Sequence, residues 1–164
     1  MRKADAIPAK IFDLPTLAKM VAAWRVKGDS ISFTNGVFDL LHEGHIFSLS
    51  QAAAEGKRLI VAVNSDASVK RLKGPTRPLN NEQARALVLA SLVMVDAVVI
   101  FEEDTPLNVI TTLLPDVLVK GGDYTVEQVA GAKEVLANGG RVVINALIEG
   151  ISTTGLIQRM QQPV

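Results

Sequence analysis

At 164 residues the chain has the length of one domain and enough material to bury a proper core, which its low aromatic content of 4% makes aliphatic. Lys plus Arg and Asp plus Glu both number 17, so the basic surplus expected of a nucleic-acid or anionic-membrane binder is missing, and any bound anion must be gripped by a local cluster. Cysteine is absent, which removes disulfides, thiolate catalysis and cysteine-held metals, and no apolar run reaches the roughly 18 residues of a membrane span, so a cytoplasmic chain without a signal peptide is expected.

Residues 1–14 read as a leader, and residues 1–29 together as a leader and helix placed before a domain of residues 30–164, with a single domain overall. Asp13 is suited to cap that first helix, Pro15 is tolerated in its first turn, and Lys27-Gly28 ends it. Ile31-Ser32-Phe33-Thr34 is a short strand closed by Asn35-Gly36, and a helix follows over 44–55. Leu59-Ile60-Val61-Ala62-Val63 has the continuous apolar character of a strand covered on both faces. Residues 65–80, with Gly74, Pro75 and Pro78, lack periodicity and are expected to form a long loop. Helices over 81–93, 105–114 and 126–137 alternate with strands at 97–101, 117–119 and 142–144, and a last helix begins near Ser152. This alternation predicts an α/β fold, a Rossmann-like doubly wound parallel sheet of about five strands.

Ligands of such sheets bind beyond the carboxyl ends of the strands, which directs attention to the residues there. The first strand leads into Thr34-Asn35-Gly36, Phe38-Asp39 and His42-Glu43-Gly44-His45, which includes both histidines of the chain. Three residues apart at a helix start, two imidazoles share a side with unpaired amide N–H groups and suit phosphate oxygens. A plainer reading has one histidine capping the helix and the other packing. A metal reading with Asp39, His42 and His45 lacks a third histidine or an HExxH pattern, and no metal ligand is assigned. Asn64-Ser65-Asp66 follows the second strand as a turn, and Lys70, Arg71, Lys73 and Arg77 then form a basic stretch, either solvated or closing over polyphosphate. Arg85 is expected to face solvent by default. Lys120-Gly121-Gly122-Asp123 permits close backbone approach beside a cation, and Ser152-Thr153-Thr154 can cap the last helix or hold phosphate. Neither GxxxxGK[ST] nor GxGxxG occurs, so a nucleotide would be bound by another route.

Residues 34–45 resemble the GxFDxxHxGH signature of the cytidylyltransferase-like nucleotidyltransferases. Over about residues 30–160 the segments AVNSD, KRLKG, FEEDTP, VKGGDY and STT are similar, more narrowly, to the adenylyltransferases that make ADP-heptose. In bifunctional members a sugar-kinase domain precedes this one, and the present length suggests the stand-alone form. The resemblance implies transfer of AMP from ATP, with Mg²⁺, to D-glycero-D-manno-heptose 1-phosphate for lipopolysaccharide core or surface-glycan synthesis.

By position, it implies that His42, His45, Lys73 and Arg85 are catalytic. Thr34, Asn35, Gly36, Phe38, Gly44, Lys120, Gly121, Gly122, Asp123, Ser152, Thr153 and Thr154 would join the histidines in binding nucleotide. Asp39, Asn64, Asp66 and Arg77 would bind substrate. The expected partners are ATP and the sugar phosphate, without nucleic acid or membrane, and with a homo-oligomer, a dimer, by analogy. Gly150-Ile151-Ser152-Thr153-Thr154 is also similar to the GISTT segment of glycerol-phosphate cytidylyltransferases, which keeps CTP and glycerol 3-phosphate as an alternative. A non-catalytic nucleotide-binding regulatory module is the alternative of another class.

Overall fold

A computed structural model describes residues 4–146 and 153–160. The apolar run at 59–63 is buried on both faces: Leu59, Val61 and Val63 pack to one side, Ile60 and Ala62 to the other. This run lies in β3 (Arg58–Asn64), one of six parallel strands formed among the described residues. The others are β1 (Ile11–Phe12), β2 (Ile31–Gly36), β4 (Ala97–Phe101), β5 (Val117–Gly121) and β6 (Arg141–Asn145), in the order β1-β4-β3-β2-β5-β6. On one face α1 (Leu14–Val26), α5 (Leu107–Leu113) and α6 (Ala132–Ala137) cover Ile31, Phe33, Ile60 and Leu118. On the other, α2 (Glu43–Ala54) and α4 (Glu82–Ala90) cover Val61, Val63, Val117 and Val119. Two further helices, α3 (Asp66–Lys73) and α7 (Thr153–Met160), lie at the carboxyl ends of the strands, where α3 directly follows β3.

Successive strands add outward from β2 through β3 to β4, and then the chain crosses to the opposite side for β5 and β6. That reversal makes the β2–β5 boundary the switch point where ligands of open sheets bind. The pairing shows how the crevice opens. β2 pairs with β3 at six positions, yet with β5 only at Ser32↔Val117 and Phe33↔Leu118.

The doubly wound prediction holds, with three corrections. The stretch just before α1 is more than a leader: β1 adds to the sheet edge beside β4, and Lys10 Nζ donates to the Val95 carbonyl at 2.7 Å. Together with the α1 residues Leu17, Val21 and Trp24 in the core, this ties residues 11–26 into the same unit as the rest. Second, the expected 65–80 loop contains α3, capped by Ser65 Oγ, which accepts the Ser68 N–H at 3.1 Å. Its sequence is mostly polar and shows too few apolar positions for a periodic signal. Third, the expected 126–137 helix is broken, because Gly131 has φ +84° and a Cβ there would lie 2.7 Å from Ile110.

Candidate active site

A cleft of about 290 Å³ fills the opened β2–β5 boundary. Thr34, Asn35, Gly36 and Phe38 line it from the end of β2, His42, Gly44 and His45 from the start of α2, Lys73 from the end of α3, Lys120 and Gly121 from β5, and Thr153 and Thr154 from α7. These twelve residues, scattered over 120 positions of sequence, were all expected at a nucleotide or catalytic site.

The entry into α2 is tightly specified. Phe38 takes a left-handed backbone at φ +50°, which folds its ring over Gly36. A Cβ at Gly36 would fall 2.9 Å from that ring and force it to shift. The Phe38 ring then meets His45 edge-on, with centroids 5.3 Å apart. His42 is the N-cap residue of α2, and its carbonyl accepts the His45 N–H at 2.9 Å. The N–H groups of Glu43 and Gly44, one turn too early for an intrahelical partner, remain available to an anion.

The two imidazoles stack, with centroids 3.9 Å apart and planes inclined by 24°. Their Nδ1 atoms are buried without a hydrogen-bond partner, and His42 Nε2 lies 3.4 Å from Thr153 Oγ1. Burial, then the neighbouring His42, pushes His45 down to about 4, and the Leu40 carbonyl offsets part of this without reaching hydrogen-bond geometry at Nδ1. Burial lowers His42 as well, against the opposing charge of Glu43. Both shifts favour the neutral ring at pH 7.

This has a measurable consequence. The unfolded chain binds a proton at His45 below its ordinary value of 6.5, whereas the folded chain does so only near 4. Stability contributed by the neutral ring is full above about pH 6.5 and is lost as pH falls toward 4. Urea midpoints are expected to fall between pH 7 and pH 5, and to fall less in His45→Gln. An equal fall in both proteins would show that His45 does not titrate in this way.

Lys120 is largely buried with Nζ 3.5 Å from Asn35 Oδ1 and 5.4 Å from the centre of the Tyr124 ring, and its burial lowers its pKa. Among the described residues the cleft lining has two lysines and no carboxylate. A chain of zero net charge thus concentrates positive charge at this one place.

The remaining expected site residues lie elsewhere. Asp39 is engaged within the protein: its carboxylate accepts N–H groups from Leu79 at 2.8 Å and Asn80 at 2.9 Å and pairs with Arg77 at 2.7 Å. Burial alone would raise this carboxyl, but the Asn80 and Leu79 amides and the Arg77 guanidinium together hold it below the usual range. Arg77 is occupied by that pair, Asn64 Nδ2 donates to Ser68 Oγ at 3.0 Å, and Asp66 pairs with Arg85 at 2.8 Å. None of the four lines the cleft; they brace its walls.

Arg85 corrects the solvent-facing expectation, for it points inward. Its side chain is fully buried and donates to the carbonyls of Asn80 at 3.0 Å, Val37 at 2.6 Å and Asn64 at 2.7 Å besides the Asp66 carboxylate. Arg71 turns away from the cleft to Asp104 and the Glu102 carbonyl, so of the basic stretch only Lys73 lines it. Gly122 and Asp123 also fall outside the lining, and Ser152 lies outside the described residues. Sequence reasoning missed Val37, Ser48 and Leu49. Ser48 was findable, since it stands one turn after His45 on the same side of α2.

A second cavity, mostly apolar, lies beyond Phe38 and His42. It is lined by Asp39, Arg85, Ala84, Val88, Leu156 and Met160 among others.

The fold and cleft define a parallel α/β protein whose switch-point cleft opens on the start of α2, in a sequence without a P-loop motif. Residues 33–159 match the family described as Cytidylyltransferase-like, and the chain belongs to that family. It is 58% identical over 160 residues to the Bifunctional protein HldE of Caulobacter sp. (strain K31), covering 98% of this chain and 33% of that protein. With the Bifunctional protein HldE of Mesorhizobium japonicum it shares 56% identity over 151 residues, 92% of this chain and 30% of the other. The chain thus spans about a third of the length of these curated relatives. A solved lipopolysaccharide core biosynthesis protein from Thermoplasma volcanium GSS1 is similar at 27% identity and TM-score 0.58, over 73% of this chain and 97% of that one. The pantoate–β-alanine ligase of Francisella tularensis shares the fold at TM-score 0.59 and 16% identity, over 93% and 79% of the two chains.

Proposed function

We propose that this chain is a nucleotidyltransferase that moves AMP from ATP to D-glycero-D-manno-heptose 1-phosphate, releasing pyrophosphate and giving ADP-heptose for lipopolysaccharide core or surface-glycan synthesis. The observation that carries the proposal is the cleft at the switch point, free of carboxylates among the described residues, where two stacked histidines, two lysines and the α2 N-terminus converge. The high identity to the bifunctional relatives and the ADP-heptose-type segments support the choice of acceptor.

In the proposed reaction an oxygen of the sugar phosphate attacks the α-phosphorus of ATP. The new P–O bond forms as the bond to the β-phosphate oxygen breaks, and pyrophosphate leaves with that electron pair. A phosphate oxygen is already anionic, so no strong base is required. The protein's part is to hold two anions in line and to neutralise charge on the equatorial and leaving oxygens. With Nδ1 of each ring buried, Nε2 is the nitrogen open to phosphate, and Lys73, Lys120 and the first amides of α2 complete the cradle.

Magnesium prefers one or two carboxylates together with phosphate oxygens. The described lining offers no carboxylate, and no group of three metal-ligating side chains occurs among the described residues. The residues do not fit a resident Mg²⁺, and in this reading the ion arrives with ATP as part of the substrate.

Pairing of copies belongs to the same reading, supported by the exposed apolar side chains of Leu87, Val88 and Val93 on and after α4. So does a cytoplasmic location, where ATP is available; no helix among the described residues is long and apolar enough to cross a membrane.

Pyrophosphate release across a panel of nucleoside triphosphates and sugar or alcohol phosphates tests the proposal. ATP with heptose 1-phosphate is the expected productive pair. Turnover only with CTP and glycerol 3-phosphate would replace it with the cytidylyltransferase reading, and nucleotide binding without turnover on any acceptor would favour a regulatory module.

A further inference from the structure

Asn145 ends β6 with its backbone carbonyl used and its side-chain amide unused. The carbonyl accepts the Gly122 N–H at 3.1 Å, whereas Nδ2 is buried with no hydrogen-bond partner. Buried polar groups are nearly always paired, so an orphaned donor calls for an explanation. The other such side-chain atoms among the described residues are His42 Nδ1 and His45 Nδ1, and both belong to the cleft.

Asn145 is not itself among the lining residues; it stands one strand behind the cleft's edge. β5 and β6 stay paired to their last residues, Gly121↔Asn145, and Gly121 lines the cleft. One strand spacing, about 4.8 Å, separates the two backbones. Within β6, Val142 and Ile144 pack with the α1–α5–α6 core and Val143 with the α2–α4 core. Strand alternation therefore puts Asn145 on the α2 face, the side from which His45, Ser48 and Leu49 line the cleft. Gly121 carries no side chain to screen it.

We propose that Asn145 reads the nucleobase, its Nδ2 donating to an acceptor on the base edge. The inference rests on the nucleotide-binding reading above. Phosphate is suited to the cations and the α2 amides of the cleft, and a neutral carboxamide is poorly matched to that task. A carboxamide does present a donor and an acceptor side by side, the combination that a base edge complements.

Calorimetric titration of ATP and of inorganic tripolyphosphate, which has the charge but no base, separates the roles. The parent is expected to bind ATP more tightly than tripolyphosphate. Asn145→Ala and Asn145→Leu are expected to lose about tenfold in ATP affinity, the scale of one hydrogen bond, with tripolyphosphate affinity unchanged. An equal loss for both ligands would show that Asn145 only supports the fold, and unchanged ATP affinity would show that it touches no base; either overturns the inference. So would a parent that binds the two ligands equally. If the parent prefers ATP through Asn145 yet makes no ADP-heptose, the base contact stands and the acceptor assignment falls.

Discussion

Replacing His45 by alanine is expected to lower turnover by about 10²–10³ while leaving the thermal unfolding midpoint close to that of the parent. The size follows from the loss of one preorganised donor at a site where charge develops in the transition state. The small effect on stability follows from the ring's surroundings. Its Nδ1 is buried without a partner, so no internal hydrogen bond is lost, and the ring packs mainly against Phe38 and His42. His42→Ala should behave alike, with an added effect on α7 because Nε2 faces Thr153 Oγ1. Steady-state pyrophosphate release and calorimetry on the same preparations check both halves. Near-parental turnover in His45→Ala would remove the stacked pair from the chemistry.

Arg85→Met is expected to lose about 3–5 kcal/mol of stability, since each buried acceptor left unpaired costs about 1–3 kcal/mol, while the partly exposed Asp66 carboxylate adds less. The substitution strands the Asp66 carboxylate and the carbonyls of Val37, Asn64 and Asn80. Those groups belong to three separate stretches: the loop that enters the histidine motif, the β3–α3 junction, and the turn before α4. Arg85 is thus a positioning residue that fastens the cleft's walls to one another, assisted by Asp39 from the other side of the same loop. Arg85→Lys should recover little, because one ammonium cannot reproduce a planar fork with four acceptors around it. Chemical denaturation reads the stability, and a parallel measurement of kcat and KM reads the site. Parental stability combined with lost turnover would instead place the guanidinium on the substrate.

These two residues mark the boundary of what the sequence discloses. The histidine motif was legible because its parts lie within twelve consecutive residues, so their relation is fixed by local geometry: a strand end, a turn and a helix start. Lys120, Gly121, Thr153 and Thr154 were legible for a different reason, since a doubly wound sheet gathers its strand ends at one edge. Arg85 was not. Three of its four acceptors are backbone carbonyls, which leave no trace in residue identity, and between them they lie as far as 48 positions away. The engagement of Asp39 was hidden for a related reason: amides of Leu79 and Asn80 occupy a carboxylate that the motif alone leaves free. The missing β1 is a matter of length, for two residues in a strand give no alternation to detect. Asn145 carries no signal at all in the sequence, and only the absence of a partner in the folded chain singles it out.

Turnover of ATP labelled at the α-phosphorus, with heptose 1-phosphate as acceptor, tests the central claim most directly. The account predicts that the label enters the nucleotide sugar and that unlabelled pyrophosphate is released in equal amount. Release of labelled ADP with inorganic phosphate, or recovery of intact ATP after prolonged incubation with this acceptor, would contradict it.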